Sequence, residues 1–166
     1  MSALPVCGAN SQIDPKQFRQ AMSQFATGVT VITVALPDGS FQGVTINSFN
    51  SVSLAPPLVL FSLALSAGSM AAFMSAPCYV INVLAGDQID LAQRFASSAE
   101  NRFEQLPFTL SGNGVPVLAG TVAWFECRQR SRYPEGDHVI FVGEVERCHS
   151  HPDRTLGFHR GRFIAL

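Results

Sequence analysis

The sequence predicts a mainly β fold of mostly antiparallel strands, closed into a full or split barrel, with helices at its periphery. About six or seven segments carry strand signals, either β-branched alternation or short apolar runs between turn residues. Only a pair of clear helices joins them. No β–helix–β unit recurs at regular spacing, which disfavours a doubly wound parallel sheet. With 166 residues, 47% of them hydrophobic, the chain builds a core without disulfides.

Residues 1–13 carry no periodic pattern and read as a loose arm, leaving 14–166 as a single domain. Asp14-Pro15 opens a helix, with Asp at the N-cap and Pro at the first helical position. Phe18, Met22 and Phe25 give it one apolar face, and Gly28 is expected to end it. Thr30–Ala35 alternates and is β-branched; the turn Pro37-Asp38-Gly39-Ser40 sends it back as Phe41–Ile46, making a hairpin. Leu58–Leu65 is a strand, Ser66-Ala67-Gly68-Ser69 a tight turn, and Met70–Met74 a short helix stopped before Pro77. Cys78–Leu84 is a strand, and Asp87 is expected to cap a helix running through Phe95. Pro107, Gly112, Gly114 and Pro116 mark 97–119 as irregular. Thr121–Arg132 and His138–Arg147 are long strands around the turn Pro134-Glu135-Gly136-Asp137, and Phe158–Ala165 closes the domain as a last strand.

Composition removes several classes of function. Charged residues are 14% of the chain and nearly balanced, at a net charge of -1, so no basic stripe awaits a nucleic acid. The apolar run Leu54–Leu65 is too short and too proline-rich to span a bilayer. No charged segment followed by an apolar stretch opens the chain, so no secretory leader is expected. Cys7, Cys78, Cys127 and Cys148 show no paired spacing and read as reduced thiols of a cytoplasmic protein. Of the 11 basic residues, only Lys16 is not arginine. Arginine suits phosphate, carboxylate and flat rings, although a GC-rich genome produces the same bias. Cys148-His149-Ser150-His151 fits no standard zinc spacing and reads as a solvated loop, so no metal is expected.

The stretch Gly43 to Leu60 stands apart. A polar half, with Thr45, Asn47, Ser48, Ser51 and Ser53, is joined by Pro56-Pro57 to a purely apolar half. Such a shelf, hung from a rigid strand, suits a flat ligand with carbonyl and ring-nitrogen edges. The same hydroxyls also serve as ordinary turn caps.

The strings Phe25-Ala26-Thr27-Gly28-Val29-Thr30-Val31-Ile32-Thr33, Gly43-Val44-Thr45-Ile46-Asn47-Ser48-Phe49 and Ser51-Val52-Ser53-Leu54 with Pro56-Pro57-Leu58-Val59 resemble the short-chain flavin reductases. These are the small components of two-component flavin-dependent monooxygenases. Gly136-Asp137-His138-Val139-Ile140-Phe141-Val142-Gly143-Glu144-Val145 resembles the second signature of that family. The resemblance runs from about residue 14 to the end. It implies an FMN-binding split barrel, a homodimer, and NAD(P)H-dependent reduction of free FMN or FAD. The reduced flavin then diffuses to a separate monooxygenase that hydroxylates an aromatic or related substrate. NADH is the expected donor, with NADPH as the alternative, because no basic cluster awaits a 2′-phosphate. The reactivity belongs to the cofactors, so the lack of an acid–base triad fits.

By resemblance, Thr45, Ile46, Asn47, Ser48, Phe49, Ser51, Val52 and Ser53 line the flavin ring, and Ser66, Ala67, Gly68 and Ser69 cradle its phosphate. That turn lacks the basic residue or threonine that relatives often carry there. Arg94 and Phe95 match a flavin-touching position, or else are a helix end with Phe95 in the core. His138 is the catalytic candidate, near the nicotinamide and the flavin ring; its alternative is a turn histidine bonded to Asp137. Arg132 and Tyr133, just before the turn, are assigned to the nicotinamide nucleotide, and Phe163 lies beside the flavin or in the core. The competing readings are a non-catalytic flavin- or haem-binding carrier on the same scaffold and a pyridoxamine-phosphate-oxidase-like flavoenzyme.

Overall fold

The structure, a computed structural model, describes residues 13–166. The arm expected over 1–13 lies outside them, Ile13 apart, as does Cys7. In chain order the elements are α1 (Pro15–Met22), β1 (Thr27–Gly28), β2 (Thr30–Ala35), β3 (Phe41–Ile46), β4 (Asn50–Leu54), β5 (Pro57–Ala64), α2 (Met70–Ser75), β6 (Cys78–Val83), α3 (Ile89–Ala96), β7 (Phe108–Leu110), β8 (Pro116–Leu118), β9 (Ala123–Glu135), β10 (His138–Ser150), β11 (Leu156–His159) and β12 (Arg162–Ala165).

Seven strands form one antiparallel sheet in the order β3-β2-β6-β9-β10-β5-β4. Its ends are drawn together just past β3. The Ser48 hydroxyl donates to the Ser62 carbonyl and accepts from the Ser62 N–H, both at 3.0 Å, so the β3 end meets β5 and the sheet curls toward closure. The expected β-rich barrel class is the observed one. Inside lie Ile32, Phe61, Phe73, Tyr79, Ile81 and Phe141, all essentially inaccessible to water. A second core, with Val29, Val31, Leu84, Ala92 and Phe95, fills the space under α3. A small sheet, β1-β11-β12, and the β7-β8 hairpin flank the barrel.

Several elements depart from expectation. The first helix ends at Met22, and Gly28 instead lies in β1, paired with Gly157. The apolar face expected for it is not core: Phe18 and Met22 are 55% and 53% exposed, and Phe25, which lies beyond the helix end, is 68% exposed. Half of the polar shelf is a strand, β4, bonded to β5. Asp87 does not cap α3; Gln88 takes that place, and its side chain instead bridges Ala85 N–H and Ala119 carbonyl, both at 2.9 Å. The segment read as irregular contains β7 and β8, whose three-residue lengths are too short to show a period. The turn after β9 shrinks to Gly136-Asp137, with Gly136 at φ +59° in the first loop position, as two-residue hairpins favour. β10 runs on through Ser150, so Cys148 and His149 are strand residues and not loop. The closing segment is the hairpin β11-β12, turned by Arg160 and Gly161, both at positive φ, as a type I′ turn demands.

One buried carboxylate ties the far end of the barrel together. Burial of Glu126 on β9 opposes its ionisation. Bonds from the Ser111 hydroxyl and from the Asn113 and Gly112 N–H groups, with the Arg147 charge, outweigh that and hold it below its ordinary value of 4.5. The Asn113 N–H donates at 2.8 Å and the Arg147 guanidinium at 3.1 Å. The unfolded chain binds this proton more tightly than the folded one. The stabilisation is therefore complete above the unfolded value and lost as pH falls through the folded one. Denaturant titrations between about pH 6 and 3 are expected to show a shallower loss of stability in Glu126→Gln than in the natural protein.

Candidate functional site

Two clefts lie along β3, the larger toward its start and the smaller at its end, and share Ala96 at the end of α3. The larger, ≈ 630 Å³, is walled by Gln42 and Val44 of β3, the turn Ala67-Gly68-Ser69, Phe95, and Arg102 and Phe103 of the following segment. The smaller, ≈ 210 Å³, holds Thr45, Ile46 and Asn47 against Phe158 and Phe163. Both sizes and mixed linings suit parts of one extended ligand. Gln42, a residue of the larger cleft's wall, has its Oε1 atom buried with no hydrogen-bond partner among the described residues.

The shelf hydroxyls are committed to the fold. Thr45 Oγ1 donates to the Ala92 carbonyl at 2.7 Å, fastening β3 to α3, and Ser48 is held by Ser62 as described above. What remains for a ligand is their backbone and the Asn47 amide, which is exposed and makes no bond in the structure. Ile46 floors the small cleft at 8% exposure, and Phe163 closes it, edge-on to Phe158 at 5.4 Å. Phe49 leans on Phe125 at 5.5 Å against the barrel core. Ser51, Val52 and Ser53 lie along β4, at the sheet edge, and line neither cleft.

In the turn after β5, Ser66 is exposed, while Ala67, Gly68 and Ser69 line the larger cleft. A side-chain carbon added at Gly68 would meet no atom within 4 Å, and the residue does not need a positive φ. Neither packing nor backbone geometry asks for glycine there, and the main chain at this point is open to close approach from the cleft. Phe95 is core, 1% exposed and edge-on to Phe103 at 5.1 Å, and still forms part of the cleft wall. Arg94 reaches back to the carbonyls of Asn101 and Glu104 and so clamps the segment after α3.

His138 opens β10, paired with Ala64, whose strand runs directly into the 66–69 turn. Its Nδ1 lies 2.6 Å from Asp137 Oδ1, and that bond holds the Asp137 carboxyl below its ordinary value. Arg132 donates to the Ala76 carbonyl at 3.3 Å, at the C-terminal end of α2, and Tyr133 is exposed. Neither lines the two clefts. Sequence reasoning missed Gln42, Arg102 and Phe158. Arg102 sits in a stretch without periodicity, and no local pattern sets it apart from its neighbours.

Residues 22–166 match the flavin reductase-like domain. The chain belongs to the flavin reductase-like family. It is 45% identical over 148 residues to the FMN reductase (NADH) SmoA of Agrobacterium fabrum, covering 89% of this chain and 84% of that one. The reductase subunit HsaB of a flavin-dependent monooxygenase from Rhodococcus jostii is 36% identical, covering 95% and 81%. The Streptomyces globisporus NADH:FAD oxidoreductase SgcE6, solved with NAD and FAD fragments, superposes with a TM-score of 0.87 at 36% identity, covering 95% and 97%. Some other relatives are longer, and the chain spans about half of their length.

For a flavin reductase-like chain the fit of these clefts is chemical. The small cleft offers aromatic and aliphatic walls to a flat ring, with one free amide at its edge. The large cleft offers an open approach to main-chain N–H groups and a cation. Asn47→Ala is expected to weaken FMN binding about tenfold in a fluorescence titration, the effect of one lost hydrogen bond to a polar ring edge. Unaltered titration curves would remove Asn47 from the site.

Proposed function

We propose that this chain catalyses the reduction of free flavin, FMN or FAD, by NADH, and releases the product to a separate flavin-dependent monooxygenase. The observation that carries the reading is the pair of clefts meeting at Ala96: a flat aromatic slot beside Asn47, next to a polar cavity lined by Gly68, Ser69 and Arg102. It is supported by relatives described as an NADH-dependent FMN reductase and as a monooxygenase reductase subunit.

When both are bound, a hydride passes from the nicotinamide to the flavin. The chain's residues bind, orient and shield. Asn47 holds the polar edge of the ring, and Phe158 and Phe163 exclude water from one side of it. Gly68 and Ser69 receive a phosphate. His138, with its Nδ1 fixed by Asp137, presents Nε2 to the nicotinamide carboxamide. Asn47 is the one uncommitted amide on the shelf, a sparse polar grip that suits a product meant to leave.

The protein acts as a homodimer in this proposal. Phe18 and Met22 on α1 and Phe25 just beyond its end are exposed apolar side chains, and Val52 and Leu54, 48% and 93% exposed, give the edge strand β4 the same character. Surfaces of this kind call for a partner, and a second copy covers them. The cytoplasm is the proposed location: NADH is supplied there, and Cys78, Cys127 and Cys148 are free thiols. Among the described residues no helix is long and apolar enough to cross a membrane.

Steady-state kinetics with FMN and FAD, each against NADH and NADPH, test the reading. Loss of reduced-nicotinamide absorbance that depends on added flavin, and is faster with NADH, is the expected result. Flavin binding without turnover would leave a carrier on the same scaffold as the better reading.

A further inference from the structure

We propose that one water molecule is bound inside the barrel at a bulge between β9 and β10, held by the side chains of Tyr79, Gln129 and Arg132.

Tyr79 Oη, Gln129 Oε1 and Arg132 Nε are buried and have no hydrogen-bond partner among the described residues. The strand register brings the three together. β9 and β10 pair Gly143 with Gln129 and then Val142 with Ser131, so Arg130 is the extra residue of a bulge. The bulge shifts the alternation of β9. Arg132, which pairs with the buried Phe141, therefore shares the interior face with Cys127 and Gln129. Gly143 lies on that face too, and the Tyr79 hydroxyl fills the space that a side-chain carbon would take there. The hydroxyl thus stands over the cross-strand partner of Gln129. Burial pushes the Tyr79 hydroxyl above its ordinary value, Cys127 adds to that, and the Arg132 charge opposes it. The group keeps its proton, and Arg132 is near enough to act on it.

The three atoms select their ligand. Gln129 Nε2 donates to the carbonyls of Ser131 at 2.8 Å and Val142 at 3.4 Å, which fixes the amide with its oxygen as the open acceptor. Tyr79 Oη and Arg132 Nε are the open donors. Arg132 is anchored separately, through Nη2 to the Ala76 carbonyl at 3.3 Å, and makes no ion pair among the described residues. The ligand must accept two hydrogen bonds and donate one. Water does this; a halide has no proton for Gln129, and the guanidinium repels a metal cation. Through Arg132 the water joins the bulge to Ala76, the residue that ends α2. Arg132 is thereby committed to the barrel interior, in keeping with its place outside both clefts.

A crystal structure that shows ordered solvent, with a bromide soak as a second data set, tests the site. One water within about 3.2 Å of all three atoms, with no anomalous peak after the soak, is the expected result. A bromide peak at that point, or three atoms with no solvent between them, would overturn the proposal. Denaturant titrations of Tyr79→Phe, Gln129→Leu and the double variant test it in solution. Tyr79→Phe is expected to lower the midpoint at unchanged slope, because it removes a bonded hydroxyl. The double variant is expected to lose less than the sum of the single losses, since both changes act on the same water. An unchanged or raised midpoint in Tyr79→Phe, as removal of an unbonded hydroxyl gives, contradicts the proposal, and so do additive losses. Arg132→Met takes the place of Gln129→Leu in the cycle if the latter does not fold.

Discussion

Phe61→Ala is expected to destabilise the protein by about 3–5 kcal/mol, enough to unfold a large fraction of it near its working temperature. Phe61 sits in the middle of β5, wholly inaccessible to water. Its ring stacks on Phe141 of β10 at 4.9 Å and 4°, and meets Tyr79 edge-on at 5.2 Å and Phe73 edge-on at 5.9 Å. Those partners come from β6, β10 and the helix α2, so truncation opens a cavity where three elements converge. The strands that carry Phe141 and Tyr79 are held by the antiparallel ladders of β10 with β5 and β9 and of β6 with β9, which limits collapse into it. Urea or guanidinium denaturation reads the loss directly as a lowered midpoint at unchanged slope. A loss below about 1 kcal/mol would mean that this aromatic cluster is not the barrel's core.

His138→Ala is expected to lower turnover with NADH about tenfold while flavin binding stays within about twofold. The imidazole begins β10 beside Ala64, one turn away from the cleft wall at Gly68. The bond to His138 holds the Asp137 carboxyl below its ordinary value, and it fixes the orientation of the ring through Nδ1, leaving Nε2 without a protein partner among the described residues. Asp137→Asn should reproduce part of the loss, because the ring is then less firmly oriented. No proton moves when hydride arrives at the flavin, so the variant loses positioning and retains measurable activity. A collapse of flavin affinity in His138→Ala would reassign the residue from the nicotinamide to the flavin.

Where local chemistry sets the chain's course, the sequence was sufficient. The hairpin of Thr30–Ala35 and Phe41–Ile46 has the bounds that its alternation and its Pro37–Ser40 turn indicate. The turn works as its residues suggest: Asp38 Oδ1 accepts from the Ser40 N–H at 2.9 Å and the Ser40 hydroxyl at 2.6 Å. Asp14 caps α1 through Lys16 N–H at 3.0 Å. Where the deciding partner is remote, the sequence was silent. Thr45 and Ser48 look like free loop hydroxyls, yet Ala92 and Ser62, 47 and 14 residues away, claim them. Arg102 is seated in the cleft wall only because Gly43, 59 residues away, supplies a carbonyl for it. The face of α1 carries a genuine apolar period, but no period says whether its cover comes from the same chain or from another.

The location of the flavin is the claim on which the rest depends, and a crystal structure of the protein soaked with FMN tests it most directly. The isoalloxazine ring is expected against Asn47 and Phe163, with the phosphate at Gly68 and Ser69. Ordered FMN elsewhere, with both of these clefts empty, would contradict it.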